Sequence, residues 1–285
     1  MFNRRVTFWI LLLLPLGWLS TFFIAPSLLM GIFSFRPDIE GDLRQLFVPT
    51  LAQYANVFAE KSYLRLLGIS IGMALIVATV SVLLSYPLAY FLAFRSGKRT
   101  RMYLVLLLVP FWTSYLLRVM ALKLMFGSEG VIDSFLRYLG LTNAPLDFLV
   151  YNRNAVVLTL IYVWVPFSAL PILAALQRID LNLFEAAADL GAGPFNQFKE
   201  ITLPLSLPGV LASFFMVFIP TVGEYVTPLL VGGSGGSMFG NIIQDFFTKA
   251  ANWSLGSALS MVMLLVTMVL LFVAIRRVNL RELLQ

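Results

Sequence analysis

The hydrophobic residues of this chain are grouped into long uninterrupted runs instead of alternating with polar residues. An α-helix rises 1.5 Å per residue, so about 20 apolar residues are needed to cross a bilayer. Six runs meet this requirement. They are Phe8–Phe33, Leu66–Phe94, Met102–Phe126, Ala155–Leu176, Val210–Val231 and Leu255–Ile275. The pattern therefore predicts an all-α polytopic membrane protein with six transmembrane helices.

The composition excludes a soluble protein. Hydrophobic residues make up 60% of the 285 residues and charged residues 12%, whereas soluble domains have roughly 45–50% and 25%. The chain contains no Cys and no His, which excludes disulfides, thiolate metal sites and nucleophiles activated by either residue. We therefore expect no catalytic residues, no metal and no cofactor in this chain, and a membrane enzyme is disfavoured.

The basic residues indicate how the spans are oriented. Eleven Lys and Arg residues lie at the two termini and in the second and fourth connections, against seven in the other three connections. Because positive residues concentrate on the cytoplasmic side, both termini are predicted to be cytoplasmic. The first run is too long for the roughly 7–15-residue core of a cleaved signal, so it is predicted to remain as an anchor. The net charge of +6 is thus a topology signal, and no nucleic-acid partner is expected.

The predicted cytoplasmic connection between the fourth and fifth spans, residues 177–209, has the pattern of two short helices. Asn182 and Glu185 have the spacing of a capping box. Gly191 suits the left-handed end of the first helix, and Pro194 suits the first position of the second. The second helix is predicted to carry an apolar face and to be stopped by prolines: Phe195, Phe198 and Ile201, then Pro204 and Pro208. Such an elbow fits either a pair of helices resting on the membrane surface or a docking element.

A family resemblance favours docking. Glu185-Ala186-Ala187, Gly191, Ile201 and Leu203-Pro204 match, at the same spacing, the EAA loop of bacterial ABC importer permeases. The resemblance implies the type I ABC importer permease fold, with coupling helices that insert into ATP-hydrolysing subunits. The implied partners are two ATP-binding subunits, which hold ATP and Mg, a second homologous permease and an external solute-binding protein.

The resemblance also implies a location and a division of the chain. The location is the bacterial inner membrane, with the lipid bilayer as surrounding solvent. Residues 1–65 form an anchor helix with an external segment, and residues 66–285 form the permease core. Solute crosses such permeases by alternating access, driven by the partner ATPase.

Three shorter segments resemble the polyamine (spermidine/putrescine) permeases. They are Val109–Arg118, Ile179-Asp180 and Pro220–Tyr225. Related systems for opines and 4-aminobutyrate share these segments, and Met120–Leu124 departs from the polyamine pattern. The resemblance therefore implies a small cationic solute, with an amino-acid-like solute as the alternative. An ion-coupled secondary transporter is disfavoured because no inverted repeat is detected and Glu224 is nearly the only carboxylate at membrane depth.

Charged residues inside the spans mark the candidate solute route, because such residues are costly unless paired or facing water. Arg118 and Glu224 are predicted at similar depth, so they either pair or line the route. Lys123 is expected to extend to the membrane surface. Aromatic residues near these charges either stack on a cation or pack against lipid and protein. They are Trp112, Tyr115 and Tyr225.

Two further patterns are given structural interpretations. The glycine-rich run Gly232–Ser237 lacks the Lys-Ser/Thr pair of a phosphate-binding loop and is predicted to be a flexible external loop. Prolines inside the apolar runs are predicted to kink or unwind their helices. They are Pro166, Pro171, Pro220 and Pro228.

Overall fold

The computed structural model describes residues 4–37, 48–127, 130–140 and 151–277, and these residues are mostly helical. In chain order the first helices are α1 (Arg4–Leu19, a π-helical turn Ser20–Ile24 and Ala25–Ser34), α2 (Ala52–Ala59), α3 (Lys61–Phe94), α4 (Thr100–Leu108), α5 (Tyr115–Phe126) and α6 (Val131–Tyr138). The others are α7 (Arg153–Leu176), α8 (Asn182–Asp189), α9 (Pro194–Val222), α10 (Val226–Val231), α11 (Phe239–Thr248) and α12 (Trp253–Arg277). Residues 278–285, predicted to form the cytoplasmic C-terminus, lie outside the described residues, as does Arg44 of the charge count.

The described part of the chain contains five helices that are long and apolar enough to cross a membrane. They are Leu11–Ser34, Lys61–Phe94, Arg153–Leu176, Pro194–Val222 and Trp253–Arg276. The predicted third span is broken, with a bend of 86° between Gly97–Trp112 and Tyr115–Tyr138, and it makes a sixth span if the bent pair is counted as one. The all-α polytopic fold is thus confirmed, but the continuous third helix is wrong.

The fifth span differs from its predicted bounds at both ends. Helix α9 begins at Pro194, inside the predicted loop, and ends at Val222, nine residues before Val231. Pro204 was predicted to stop the helix, yet the chain continues through a π-helical turn in which the N–H of Leu203 bonds the carbonyl of Phe198. This wider turn comes directly before the proline, which lacks a donor and needs space for its ring.

The prolines inside the spans are tolerated more than expected. Pro208 lies within α9, and Pro166 and Pro171 lie within α7, which remains one helix over 24 residues. The chain instead unwinds at residues 223–225, directly after the last turn of α9, which contains Pro220. Side-chain hydroxyls and neighbouring helices can satisfy the backbone groups that a proline frees, so a proline alone does not fix the position of a break.

The chain divides into two compact units. The first contains Met1–Arg65 and Ile242–Val266. In this unit the Tyr54 hydroxyl and the Ser34 hydroxyl lie 2.7 Å apart. The ring of Trp253 lies against Phe33 and Phe247, with centroid distances of 6.4 and 5.7 Å.

The second unit contains Leu66–Asn241 and Thr267–Gln285, and its core is formed by α3, α7 and α9. Serine hydroxyls join these helices at short distances. Ser85 donates to the carbonyl of Val165 at 2.6 Å, and the hydroxyls of Ser168 and Ser213 lie 2.6 Å apart. Small polar residues of this kind let membrane helices approach closely and bond to each other.

Helices α7 and α9 approach each other closely at Gly209. A Cβ atom at this position would lie 2.5 Å from the Cβ of Ala175 and 2.6 Å from the carbonyl oxygen of Pro171. Neither neighbour can move without shifting the α7 backbone. The two helices can therefore pack in this way only because residue 209 has no side chain.

We expect Gly209→Val to destabilise the protein by about 1–3 kcal/mol, because the added atoms would force α7 and α9 apart. Gly68→Val is the matched control, because Gly68 is exposed on α3 and a Cβ there would contact nothing within 4 Å. The thermal unfolding midpoint of each purified variant in detergent measures the effect. Equal midpoints for the two variants would contradict the close packing at Gly209.

Candidate functional site

The helical elbow, residues 182–202, consists of α8 and the first turns of α9. Helix α8 ends at Asp189, and Gly191, two residues later, has a φ of +83°, which is left-handed as predicted. The N–H groups of Gly191 and Ala192 bond the carbonyls of Ala188 and Ala187, both at 2.9 Å. This pair of bonds is the Schellman motif, which requires a left-handed residue and favours glycine. The sharp change of chain direction is therefore encoded locally.

The start of α8 differs from the predicted capping box. Asn182 is the first helical residue and does not cap the helix with its side chain. Instead the carboxylate of Asp180 accepts the N–H of Asn182 at 3.0 Å. An Asp side chain readily bonds a backbone N–H two residues later, so Asp180 was the signal that the capping-box pattern overlooked. Glu185 is exposed and is thereby left available for a partner.

The elbow is fixed against the C-terminal end of α3. The Gln197 amide donates to the carbonyls of Ala192, at 3.1 Å, and Phe184, at 3.4 Å, which ties the two arms together. The Phe184 ring packs edge-on against Phe94 with centroids 5.6 Å apart. The Phe198 ring packs in the same way against Tyr86 at 5.9 Å. The elbow is therefore a folded part of the second unit.

Five of the seven predicted coupling residues lie within this elbow, and Leu203 and Pro204 directly follow it in α9. Those that are exposed are Glu185, Ala186, Gly191, Leu203 and Pro204, whereas Ala187 and Ile201 are half-buried. Ile201 packs on the core formed by α3 and α7. Phe195 does not share the face of Phe198 and Ile201, contrary to the prediction, and is 75% exposed; Leu190, at the bend, is 89% exposed. The elbow thus presents an apolar tip.

A pocket of ≈ 350 Å³ lies beside α8. Its lining is largely aromatic and aliphatic and includes the first residue of the EAA sequence. The lining residues are Tyr90, Phe94, Leu181, Phe184, Glu185 and Gln197. The elbow therefore has an exposed apolar tip, formed by Leu190 and Phe195, and a pocket beside α8.

At the break in the third span, Trp112 directly precedes a two-residue extended segment and Tyr115 directly follows it. Pro110 lies in the first turn of a 3₁₀ segment, Val109–Trp112, after which Thr113 and Ser114 are extended. Helix α5 then begins at Tyr115. Trp112 is 82% exposed, so this ring is available for contact outside the chain. Tyr115 is half-buried.

The break in the fifth span is organised by Glu224. One carboxylate oxygen accepts the N–H groups of Val226, at 2.9 Å, and Thr227, at 3.0 Å. These donors belong to the first turn of α10 and have no partner within the helix. The carboxylate at membrane depth therefore stabilises the restarted helix. Tyr225, which follows it, is 43% exposed.

Arg118 is not paired with Glu224 in the described part of the chain. Its guanidinium carbon lies 4.4 Å from the centroid of the Phe111 ring. The Nε and Nη1 atoms are buried and have no hydrogen-bond partner among the described residues. The sequence left open whether Arg118 and Glu224 form an ion pair or line the solute route, and the described structure does not contain the ion pair.

The two breaks meet at Tyr115. Its hydroxyl forms a hydrogen bond with Thr227 Oγ1 at the start of α10, and the N–H of Thr227 bonds the carboxylate of Glu224. Three of the five predicted solute-route residues are thereby placed in one neighbourhood: Tyr115, Glu224 and Tyr225. Arg118 lies three residues after Tyr115 on α5. No hydrogen bond or ring contact joins Trp112 to this group in the described residues.

Sequence reasoning missed two residues that hold the second break. Asn241 donates from its side chain to the carbonyl of Tyr225 at 2.8 Å. At Gly240, a Cβ would lie 2.7 Å from the carbonyl oxygen of Gly223 and 2.8 Å from that of Glu224. The glycine lets α11 approach the unwound backbone. The Gly-Asn pair at the start of α11 was the available signal.

The glycine-rich run is tightly packed and not the flexible loop that was predicted. A Cβ on Gly233 would lie 2.7 Å from the carbonyl oxygen of Tyr151, and one on Gly236 would lie 2.4 Å from the Cα of Gly232. Arg153 bonds the carbonyl of Gly235 at 3.0 Å. The glycines are needed because backbone segments touch here.

Lys123 was predicted to extend to the membrane surface. Its ammonium group lies 5.5 Å from the centroid of the Tyr151 ring. Tyr151 itself directly precedes α7 and has a φ of 56°. The aromatic ring gives the lysine a cation–π partner at the end of α5.

Solved structures share this architecture. The chain aligns with a chain of a bacterial ABC transporter for alginate with a TM-score of 0.71 at 17% identity, covering 97% of both chains. It aligns with a chain of the MetNI methionine ABC transporter with a TM-score of 0.53 at 19% identity, covering 77% of this chain and 98% of the other. These likenesses show the fold of an ABC importer permease.

Sequence comparisons identify the family. A family model described as the binding-protein-dependent transport system inner membrane component matches residues 85–283. The spermidine/putrescine permease PotB of Haemophilus influenzae is 33% identical over 91% of this chain and 90% of its own length. The inner membrane ABC transporter permease YdcU of Escherichia coli is 31% identical over 95% and 90%. The chain belongs to this family of inner-membrane ABC importer permeases.

Proposed function

We propose that this chain is the permease subunit of an ABC importer that moves a polyamine such as spermidine or putrescine into the cell. Its relatives include proteins named as spermidine/putrescine permeases over nearly the whole chain. The proposed assembly contains a second homologous permease, two ATP-binding subunits and an external solute-binding protein. ATP and Mg would be held by the ATP-binding subunits, so this chain has no catalytic role.

The observation that supports coupling to an ATP-binding subunit, and with it the proposed importer, is the exposed apolar tip of the helical elbow. Leu190 and Phe195 project into solvent while Gln197, Phe184 and Phe198 hold the arms in place. Exposed apolar groups on a rigid element are characteristic of an interaction surface. The tip therefore supports docking into a groove of an ATP-binding subunit, and the exposed Glu185 adds a polar contact at the edge.

The solute route is proposed to pass the point where the two broken spans meet. Discontinuous membrane helices often form such sites because their unwound segments leave polar groups facing a cavity. Glu224 would attract an ammonium group, and Tyr115 and Tyr225 would offer aromatic faces. Trp112, exposed at the first break, would contact the solute earlier on its way. A flexible polyamine can present several ammonium groups to these positions in succession.

One observation favours a second candidate solute. Arg118 has buried N–H groups that find no acceptor among the residues the structure describes, and a carboxylate is the preferred partner of a guanidinium. A 4-aminobutyrate-like or opine-like solute could place its amine at Glu224 and its carboxylate at Arg118. The same machinery would then carry an amino-acid-like solute, and the two candidates differ in the expected role of Arg118.

We propose that both termini and the elbow are cytoplasmic and that the glycine-rich turn is external. In this Cys-free chain, Lys98→Cys and Ser234→Cys provide the test, since both residues are exposed. An impermeant thiol reagent added outside intact cells should label position 234 and leave position 98 unlabelled. Labelling of position 98 alone would reverse the proposed orientation.

We expect Gly191→Val to abolish ATP-dependent uptake while the protein still inserts. A side chain in the left-handed region costs about 1–2 kcal/mol, and it would redirect the second arm of the elbow. Apart from its chain neighbours, no atom of the described residues lies within 4 Å of a Cβ at this position, so the effect comes from the backbone and not from a clash. Uptake into proteoliposomes and co-purification with the ATP-binding subunits are the measurements.

Two variants control this experiment. Gly191→Asn should retain most activity, because asparagine tolerates the left-handed conformation. Gly193→Ala should also be tolerated, because Gly193 has a φ of −70° and open space around it. Normal uptake and normal co-purification of Gly191→Val would show that the elbow does not couple the chain to an ATPase.

We expect Glu224→Gln to lower spermidine uptake about tenfold or more, because the loss of a charged hydrogen bond is worth about 1.5–3 kcal/mol. The amide oxygen can still accept the N–H groups of Val226 and Thr227, so the fold should be kept. Glu60→Gln is the matched control, since Glu60 accepts the N–H of Ser62 at 3.2 Å at the start of α3 and is exposed. Uptake of radiolabelled spermidine, normalised to folded protein, gives the result. Equal uptake by both variants would remove Glu224 from the route.

A further inference from the structure

The pocket beside α8 has the composition of a site for an organic cation. Three of its six lining residues are aromatic: Tyr90, Phe94 and Phe184. The Phe94 ring contacts the other two, with centroid distances of 5.0 Å to Tyr90 and 5.6 Å to Phe184. Cations bind to the faces of aromatic rings, and clustered rings recognise organic ammonium groups in many proteins.

The polar side chains of this pocket offer acceptors to a ligand. Of the described lining residues only Glu185 is charged, and its carboxylate forms no ion pair in the described part of the chain. The Gln197 amide nitrogen bonds the carbonyls of Phe184 and Ala192, and neither bond uses its amide oxygen. An ammonium group is a donor and not an acceptor, so it matches these oxygens. A carboxylate or phosphate would find no basic side chain among the described lining residues.

The position of the pocket connects the elbow to a membrane-spanning helix. Tyr90 and Phe94 belong to the last turns of α3, whereas Phe184 and Glu185 belong to α8. The volume of ≈ 350 Å³ lies within the range of roughly 300–1,000 Å³ that is typical of small-molecule sites. A molecule that contacts both sides of the pocket would therefore hold α8 against the end of α3.

We propose that this pocket binds an ammonium group of a polyamine on the cytoplasmic side and that the bound molecule inhibits further import. This inference rests on the proposed polyamine import and on the proposed cytoplasmic position of the elbow, and it adds a regulatory site outside the solute route. The ammonium group would occupy Glu185, which would otherwise contact the ATP-binding subunit, and would restrain α8. Because Leu190 and Phe195 do not line the pocket, the tip would remain free for docking. The transporter would therefore stay assembled but would be coupled less well.

The test is the ATPase rate of the assembled transporter in proteoliposomes, with the solute-binding protein and spermidine inside the vesicles and ATP outside. Vesicles of phosphatidylcholine and phosphatidylglycerol are used because these lipids carry no primary amine. Spermidine is then added on the ATP side, and each rate is divided by the rate of the same variant before this addition. We expect the wild-type rate to fall as the outside spermidine concentration rises, which gives a half-inhibitory concentration.

Two pairs of variants assign the inhibition to the pocket. Glu185→Gln should raise the half-inhibitory concentration about tenfold or more, because a hydrogen bond between charged groups is lost. Glu200→Gln is its control, since Glu200 is exposed beside Lys199 and does not line the pocket. Tyr90→Leu should raise the half-inhibitory concentration about threefold to tenfold through the loss of one aromatic face. Tyr103→Leu is its control, because both tyrosines pack on the same core and only Tyr90 lines the pocket.

Equal half-inhibitory concentrations in all variants would overturn the proposal, since binding of spermidine to ATP or to lipid would affect every variant alike. Absence of inhibition in the wild type would also overturn it. A higher half-inhibitory concentration in vesicles that contain phosphatidylethanolamine would assign the pocket to a lipid amine and would contradict the proposal as well. Uptake of radiolabelled spermidine by the wild type separates the two levels: if uptake occurs and the inhibition does not follow this order, only the role of the pocket fails. Absence of any polyamine uptake would instead refute the proposed function and the inference that rests on it.

Discussion

A membrane helix can be interrupted only if the backbone groups at the break find partners without water, because an unsatisfied group in hydrocarbon costs several kcal/mol. The break at residues 223–225 meets this constraint with protein atoms. Glu224 accepts two N–H groups of α10, and Asn241 donates to the carbonyl of Tyr225. Gly240 allows the close approach of α11 that makes this possible. The remaining features of the candidate route depend on this fixed interruption.

The same helix joins the break to the elbow. Helix α9 runs without interruption from Pro194 to Val222, 29 residues, which is about 43 Å at 1.5 Å per residue. One of its ends emerges from the left-handed bend after Gly191, and the other stops at Gly223. A rigid-body displacement of the elbow would therefore move the backbone next to Glu224. In the proposed transporter this helix is the mechanical link between ATP-driven closure and the solute route.

Patterns that act over a few residues were predictable from the sequence. The apolar runs, the left-handed Gly191 and the helix start at Pro194 depend on local composition and backbone geometry. The features that the sequence missed or left open depend on particular contacts. The continuation of α9 past Pro204 needs a π-helical turn, and the close packing of the glycine-rich run depends on Tyr151. The position of Arg118, which the sequence left open, depends on the ring of Phe111. None of these contacts leaves a periodic signal in the sequence.

The most direct test of the link along α9 is the labelling rate of Tyr225→Cys by a thiol reagent in proteoliposomes that contain the assembled transporter. Tyr225 is partly exposed at the break, and the chain has no other cysteine. We predict that a non-hydrolysable ATP analogue changes this rate when the elbow is intact and does not change it when Gly191→Val is also present. A nucleotide-dependent change that is the same with and without Gly191→Val would contradict coupling through the elbow and α9.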